Sequence, residues 1–183
     1  MPGTGRPGAD GDEQTDPEEV ARAICLRLLT GSPKTRAQLA DAMRTRGVPD
    51  DAAARVLDRL GDVRLVDDEA FAHAWVESRH TGRGLARRAL AHELRRRGVA
   101  EETVDEAVET LDADREADTA RALVRRRLAS TARLDPQVRM RRLAGMLARK
   151  GYSSGLAFRV VRKEIAAEGD DPGDPDIPTE DGP

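Results

Sequence analysis

Leu90-Ala91-His92-Glu93-Leu94-Arg95-Arg96-Arg97-Gly98 decides the fold of this chain, because its skeleton occurs three times: a leucine, an apolar residue four on, and a glycine four further. The counterparts are Leu39, Met43 and Gly47 upstream and Leu143, Leu147 and Gly151 downstream. The three glycines lie 51 and 53 residues apart, a spacing that points to tandem helical repeats. Within each copy the two apolar positions share one helical face. Further upstream, at matching offsets, stand Val20 and Ile24, Phe71 and Trp75, and Val124 and Leu128, which mark a preceding helix in each unit. Downstream, Val56-Leu57, Ala107-Val108 and Val160-Val161 mark a following one; Leu60 and Leu111 extend the first two, whereas Glu164 stands at that place in the third.

Each unit therefore reads as three short amphipathic helices, and the chain as all-α. Asp16, Pro17 and Glu19 supply a cap, a first-turn proline and a capping-box acid; Thr35 with Gln38, and Asp135 with Pro136, repeat the device. Gly47, Gly98 and Gly151 each follow basic residues, as a left-handed glycine beyond a helix C-terminus does. Val63-Arg64-Leu65-Val66 is too short to compete as a strand and reads as a linker. The boundaries fall at 18–62, 67–111 (the signature unit) and 112–167, between disordered acidic tails at 1–17 and 168–183. A unit of this size buries little by itself, so the three are expected to lean on one another in an elongated stack. Aromatic residues are 2% of the chain, and Phe71, Trp75, Tyr152 and Phe158 are the expected bulky anchors.

The formal charge of −3 conceals an uneven distribution. Residues 20–166 carry 30 basic and 21 acidic side chains, an excess of 9, while the acids concentrate at both ends. Such an excess attracts polyanions or acidic protein surfaces over roughly a Debye length, on the order of 10 Å. The candidate partner- and DNA-binding residues are Arg83, Arg87, Arg88, Arg95, Arg96 and Arg97, with Arg121, Arg125, Arg126 and Arg127. Helical geometry points Arg88 and Arg95 away from the Leu90–Leu94 stripe, and lays the stems of Arg87 and Arg97 along the core edge. With so few aromatics there is no stacking platform for bases, so any contact with single-stranded DNA is phosphate-dominated and salt-sensitive.

Catalytic chemistry finds no foothold. Cys25 lies on an apolar face and reads as a buried structural thiol; one cysteine permits no internal disulfide, in keeping with a reducing cytoplasm. Glu69, His73 and Glu77 share a helical face that reads as solvated rather than metal-binding. Gly82-x-Gly84 lacks a third glycine and reads as a helix break between Arg79 and Leu85. There is no Walker lysine, nucleophile elbow or catalytic carboxylate pair, so the chain is expected to be non-enzymatic and without cofactor or metal. With no apolar segment of spanning length and no signal peptide, a cytoplasmic, monomeric protein with no membrane partner is expected.

The stretch Asp67-Asp68-Glu69-Ala70-Phe71-Ala72-His73-Ala74-Trp75-Val76-Glu77-Ser78-Arg79, with Gly82-Arg83-Gly84-Leu85 and then Leu90 through Val99, resembles the central signature of the bacterial regulatory protein RecX family. The likeness spans about residues 18–166, with Phe71, Trp75, Leu90, Leu94 and Gly98 as the structural signature; the acidic tails are outside the family pattern. It implies three tandem three-helix repeats forming an elongated, curved body. It also implies a partner, the RecA recombinase filament on single-stranded DNA, whose ATP hydrolysis and strand exchange such proteins alter. Most are inhibitors, damping homologous recombination, DNA repair and the SOS response. The alternative is a general nucleic-acid-binding helical protein or transcriptional repressor, although residues 85–97 offer little of the Asn, Gln and Arg mixture that reads base edges.

Overall fold

The three glycine turns fold alike. Gly47, Gly98 and Gly151 have φ of +74°, +74° and +91°, and the following residue donates its N–H back across the turn, Val48 to Met43, Val99 to Leu94 and Tyr152 to Leu147, at 3.2–3.3 Å. This is the reverse bond of a Schellman motif, and it buries Val48, Val99 and Tyr152. A computed structural model describes residues 16–169. The expected acidic tails fall mostly outside them, but Asp16 caps the first helix, Pro17 opens it, and Glu168 pairs with Arg139.

Among the described residues there are nine helices and no strand. The first three are α1 (Pro17–Gly31), α2 (Arg36–Arg44) and α3 (Asp50–Asp62), followed by α4 (Asp68–Arg83), α5 (Arg87–Arg95) and α6 (Glu101–Glu109). The last three are α7 (Ala113–Thr131), α8 (Pro136–Arg149) and α9 (Ser154–Ala166). Side chains of Asp16, Thr35, Asp67, Asp112, Asp135 and Ser153 accept first-turn N–H groups. The reciprocal capping box is complete at α2, where the Thr35 N–H donates to Gln38; Asp16 accepts instead from Glu18 N–H. The helix break expected between Arg79 and Leu85 falls at Gly84, which closes α4 at φ +62°, while Gly82 stays helical. None of the helices is long and apolar enough to cross a membrane.

Each repeat encloses its own core. Ile24, Cys25, Leu39, Met43, Val56 and Leu60 fill the first; Val76, Leu90, Leu94, Val104 and Leu111 the second; Val124, Leu143, Leu147, Tyr152, Val161 and Ile165 the third. The aromatic expectation needs correction. Phe71 and Trp75 are only half-buried, because α4 turns the smaller Ala72 and Val76 inward, and Phe158 is exposed. Only Tyr152 is sealed.

The chain divides into two compact units, one ending at Val66 and holding α1–α3, the other beginning at Asp67 and holding α4–α9. In the second unit the α8–α9 turn grips the α4–α5 turn. The Ala86 N–H donates to the Lys150 carbonyl (2.9 Å), the Lys150 ammonium to the Arg83 carbonyl (2.6 Å) and the Tyr152 hydroxyl to the Gly84 carbonyl (3.1 Å). His80, buried on α4, completes the junction. Its Nδ1–H donates to the Leu85 carbonyl and its Nε2 shares a hydrogen bond with the Thr119 hydroxyl of α7, both at 2.8 Å. Ala86 belongs to the third repeat's core.

Candidate functional site

The ten candidate arginines separate once their partners are known. Arg97 lies with its guanidinium carbon 3.7 Å from the centre of the Trp75 ring and donates to the Glu93 carbonyl, and burial beside that ring pulls its pKa down. Arg79 lies over the same ring at 4.2 Å, Phe71 stacks on it at 5.6 Å, and the indole N–H donates to Glu93 at 2.8 Å. This cation–π stack makes Arg97 a structural group. Arg125 meets Glu164, a buried carboxylate, at 2.7 Å, which holds the arginine charged. Arg121 pairs with Asp118 along its own helix at 2.7 Å. Arg95, expected to point at a partner, is exposed but bonds Glu101 through two nitrogens, holding that carboxyl below the usual carboxylate range.

Arg87 is held by Glu116 of α7, buried against the start of α5. One carboxylate oxygen accepts from the Arg87 N–H at 2.9 Å, the other from its guanidinium at 3.2 Å. The α5 N-cap, Ala86, has no side-chain acceptor, so Glu116 supplies it from the third repeat.

Arg88, Arg96, Arg126 and Arg127 have no ion pair among the described residues and are exposed. Arg83 approaches a Glu93 oxygen only at 3.9 Å. Of these, Arg88 lines one concavity of the second unit and Arg83 and Arg126 line another. The larger is an open groove of about 870 Å³, floored by Ala89, Ala91, Ala148 and Gly151 and lined by Arg87, Arg88, Arg95 and Arg149 with no carboxylate. The smaller, about 570 Å³, takes Arg83 and Arg126 together with Lys150 and Arg115, again with no carboxylate. Arg96, Arg97, Arg121, Arg125 and Arg127 line neither. A concavity in the first unit, about 370 Å³, is walled by Asp16, Glu18 and Glu19 as well as Arg22 and Arg59, and its mixed charge suits no polyanion.

Arg149, Lys150 and Arg115 were not among the sequence candidates. The Arg149-Lys150 pair directly before Gly151 was the available signal for two of them. Glu116 left none, since its partner lies 29 residues away. Cys25 is fully buried with its sulfur 3.7 Å from the Met43 sulfur, and burial pushes the thiol pKa up. No group of three or more metal-ligating side chains assembles among the described residues; Glu77 instead accepts from Arg115, which lowers its pKa.

Three family models match the chain: the first three-helix domain of RecX at residues 21–60, the second at 67–108 and the third at 114–161. "Regulatory protein RecX" of Streptomyces lividans is 61% identical over 161 residues, covering 88% of this chain and 86% of that one. That of Thermobifida fusca is 59% identical over 174 residues, 92% and 94% of the two chains. That of Mycolicibacterium smegmatis is 48% identical over 167 residues, 87% and 88%. The crystal structure of RecX from Lactobacillus salivarius superposes at a TM-score of 0.77 with 15% identity, over 83% of this chain and 98% of that one, a likeness of fold. With the glycine turn repeated three times and a matching model for each repeat, this chain belongs to the RecX family of regulatory proteins.

Proposed function

We propose that this protein modulates, and most simply inhibits, the RecA recombinase by binding its filament on single-stranded DNA, without catalysis of its own. In this reading it acts in the cytoplasm as a monomer and damps recombination, DNA repair and the SOS response. The observation that carries it is the carboxylate-free groove at Arg88 and Arg149, where the repeat that bears the family signature meets the third. Its floor of alanines and a glycine lets a partner backbone approach closely, and its rim complements acidic side chains or phosphates. Arg88 and Arg149 contact the filament in this reading, with the exposed Arg96 and Arg127 as further contacts outside the groove; Arg87, Arg95, Arg97, Arg121 and Arg125 hold the scaffold through their internal partners.

The test is RecA ATP hydrolysis on single-stranded DNA, with this protein added well below the RecA concentration. Inhibition is expected, and Arg88→Glu with Arg149→Glu weakens it at least about tenfold while the helical circular dichroism and melting stay as they were. Arg95 is unsuitable for this, because its reversal would also break the Glu101 contact. Unchanged hydrolysis accompanied by strong, salt-sensitive binding to DNA would replace this reading with that of a general nucleic-acid-binding protein.

A further inference from the structure

The smaller concavity has a purpose of its own. Its cations come from three separate segments: Arg83 at the end of α4, Arg126 on α7 and Lys150 in the α8–α9 turn. Arg115, the fourth, is already neutralised, meeting both oxygens of Glu77 at 2.8 Å. The other three have no such close carboxylate. Arg126 has no ion pair among the described residues, and Arg83 only approaches Glu93. The Lys150 ammonium gives one of its three hydrogens to the Arg83 carbonyl.

Packing, not mutual attraction, brings these like charges together. Leu123 of α7 sits so close over Gly84 that a β-carbon there would lie 2.9 Å from its side chain, and Tyr152 bonds the Gly84 carbonyl. Convergent cations cost Coulomb energy where, as at Arg126 and Lys150, no carboxylate among the described residues pairs with them, and an anion relieves it. The cleft is not a cage for one small ion. The His80 ring and the Thr119 hydroxyl are satisfied by each other, and no buried side-chain donor or acceptor among the described residues lacks a partner. An open mouth with spaced cations and an apolar wall at Ala122 and Leu123 suits a chain of phosphates instead.

We propose that this cleft binds the phosphodiester backbone of a single-stranded nucleic acid, with Arg83, Arg126 and Lys150 each meeting phosphate oxygens. This deepens the filament reading by adding a direct strand contact, and it rests on that reading only for the source of the strand. No base is read, so the contact is indifferent to sequence.

The measurement is fluorescence anisotropy of labelled oligo(dT) with the full chain and no RecA present, from about 50 to 200 mM salt, the range over which counterion release is pronounced. Arg126→Gln with Lys150→Gln is expected to lose about tenfold in affinity and to flatten the salt slope by about 1.4, two phosphates at roughly 0.7 each. Arg126→Gln alone breaks no ion pair among the described residues and loses about threefold, so the outcome does not depend on the Lys150 clamp. The control, Arg22→Gln with Arg27→Gln, removes the same charge from α1 and changes affinity less than about twofold. Normal binding by the cleft variants, or an equal loss in the control, overturns the assignment. Displacement of the oligonucleotide by equimolar inorganic triphosphate overturns it too, assigning the cleft to small polyphosphates. RecA is absent throughout, so a negative result here leaves the filament reading standing, and failure of the ATPase test leaves this one standing.

Discussion

Gly47 and Gly151 hold the same place in their repeats yet carry different burdens. Both have positive φ, +74° and +91°, a region that L side chains resist. A β-carbon on Gly47 would meet nothing within 4 Å, whereas one on Gly151 would lie 2.5 Å from the Ala89 nitrogen and 2.6 Å from its β-carbon. Gly47→Ala is therefore expected to cost about 1–2 kcal/mol, the strain of the backbone alone. Gly151→Ala costs more than twice that, since the α8–α9 turn must leave α5 and release the bonds at Ala86 and Gly84. Urea unfolding of the two variants, followed by helical circular dichroism so that both units are read, measures the difference. The glycine spacing in the sequence announced the left-handed turn at both positions. It carried no trace of the Ala89 contact, because that neighbour comes from another repeat.

The glutamate at 164, where the other repeats have leucine, shows how one helix is rewritten without losing the repeat. Leu60 and Leu111 occupy this position in α3 and α6 and are buried in their cores. Glu164 is buried in α9 as well, and its carboxylate is met by Arg125 of α7 at 2.7 Å and 3.1 Å. Arg125 stands where α1 and α4 have Ala21 and Ala72, both fully buried. An apolar pair in two repeats has become an ion pair in the third, and two single changes from that pair are not equivalent. Arg125→Ala is expected to lower the melting temperature by several degrees, because it strands a buried carboxylate; adding Glu164→Leu recovers about half of the loss or more. A thermal melt of the single and double variants reads this, and additive losses would show that the two side chains act independently. The α4 helix makes the same point about register. Phe71 and Trp75 lie at matching offsets to Val124 and Leu128, yet α4 buries Ala72 and Val76 and leaves the rings to stack at its edge.

Over the whole chain, charge is distributed against the sign of its sum. The formal charge is −3, while residues 20–166 carry an excess of 9 positive charges. Residues 1–15 and 169–183 contribute nine acids and one arginine. Deleting both segments is expected to tighten binding to oligo(dT) severalfold near 50 mM salt, with the gain fading near 200 mM as screening shortens; equal affinity of the full and trimmed chains at low salt would show the segments to be electrostatically inert. Sequence by itself determined the helical repeats, their caps and turns, the positive core and the family signature, because each depends on residues within one or two helical turns of each other or on simple counting. Tertiary structure decided which cations remain available. Arg87, Arg95, Arg97 and Arg125 are absorbed by Glu116, Glu101, Trp75 and Glu164, while Arg88 with Arg149, and Arg126 with Lys150, come together from separate segments of the chain. A guanidinium's availability depends on the carboxylate packed beside it, and that neighbour is set by how the repeats pack, not by distance along the chain.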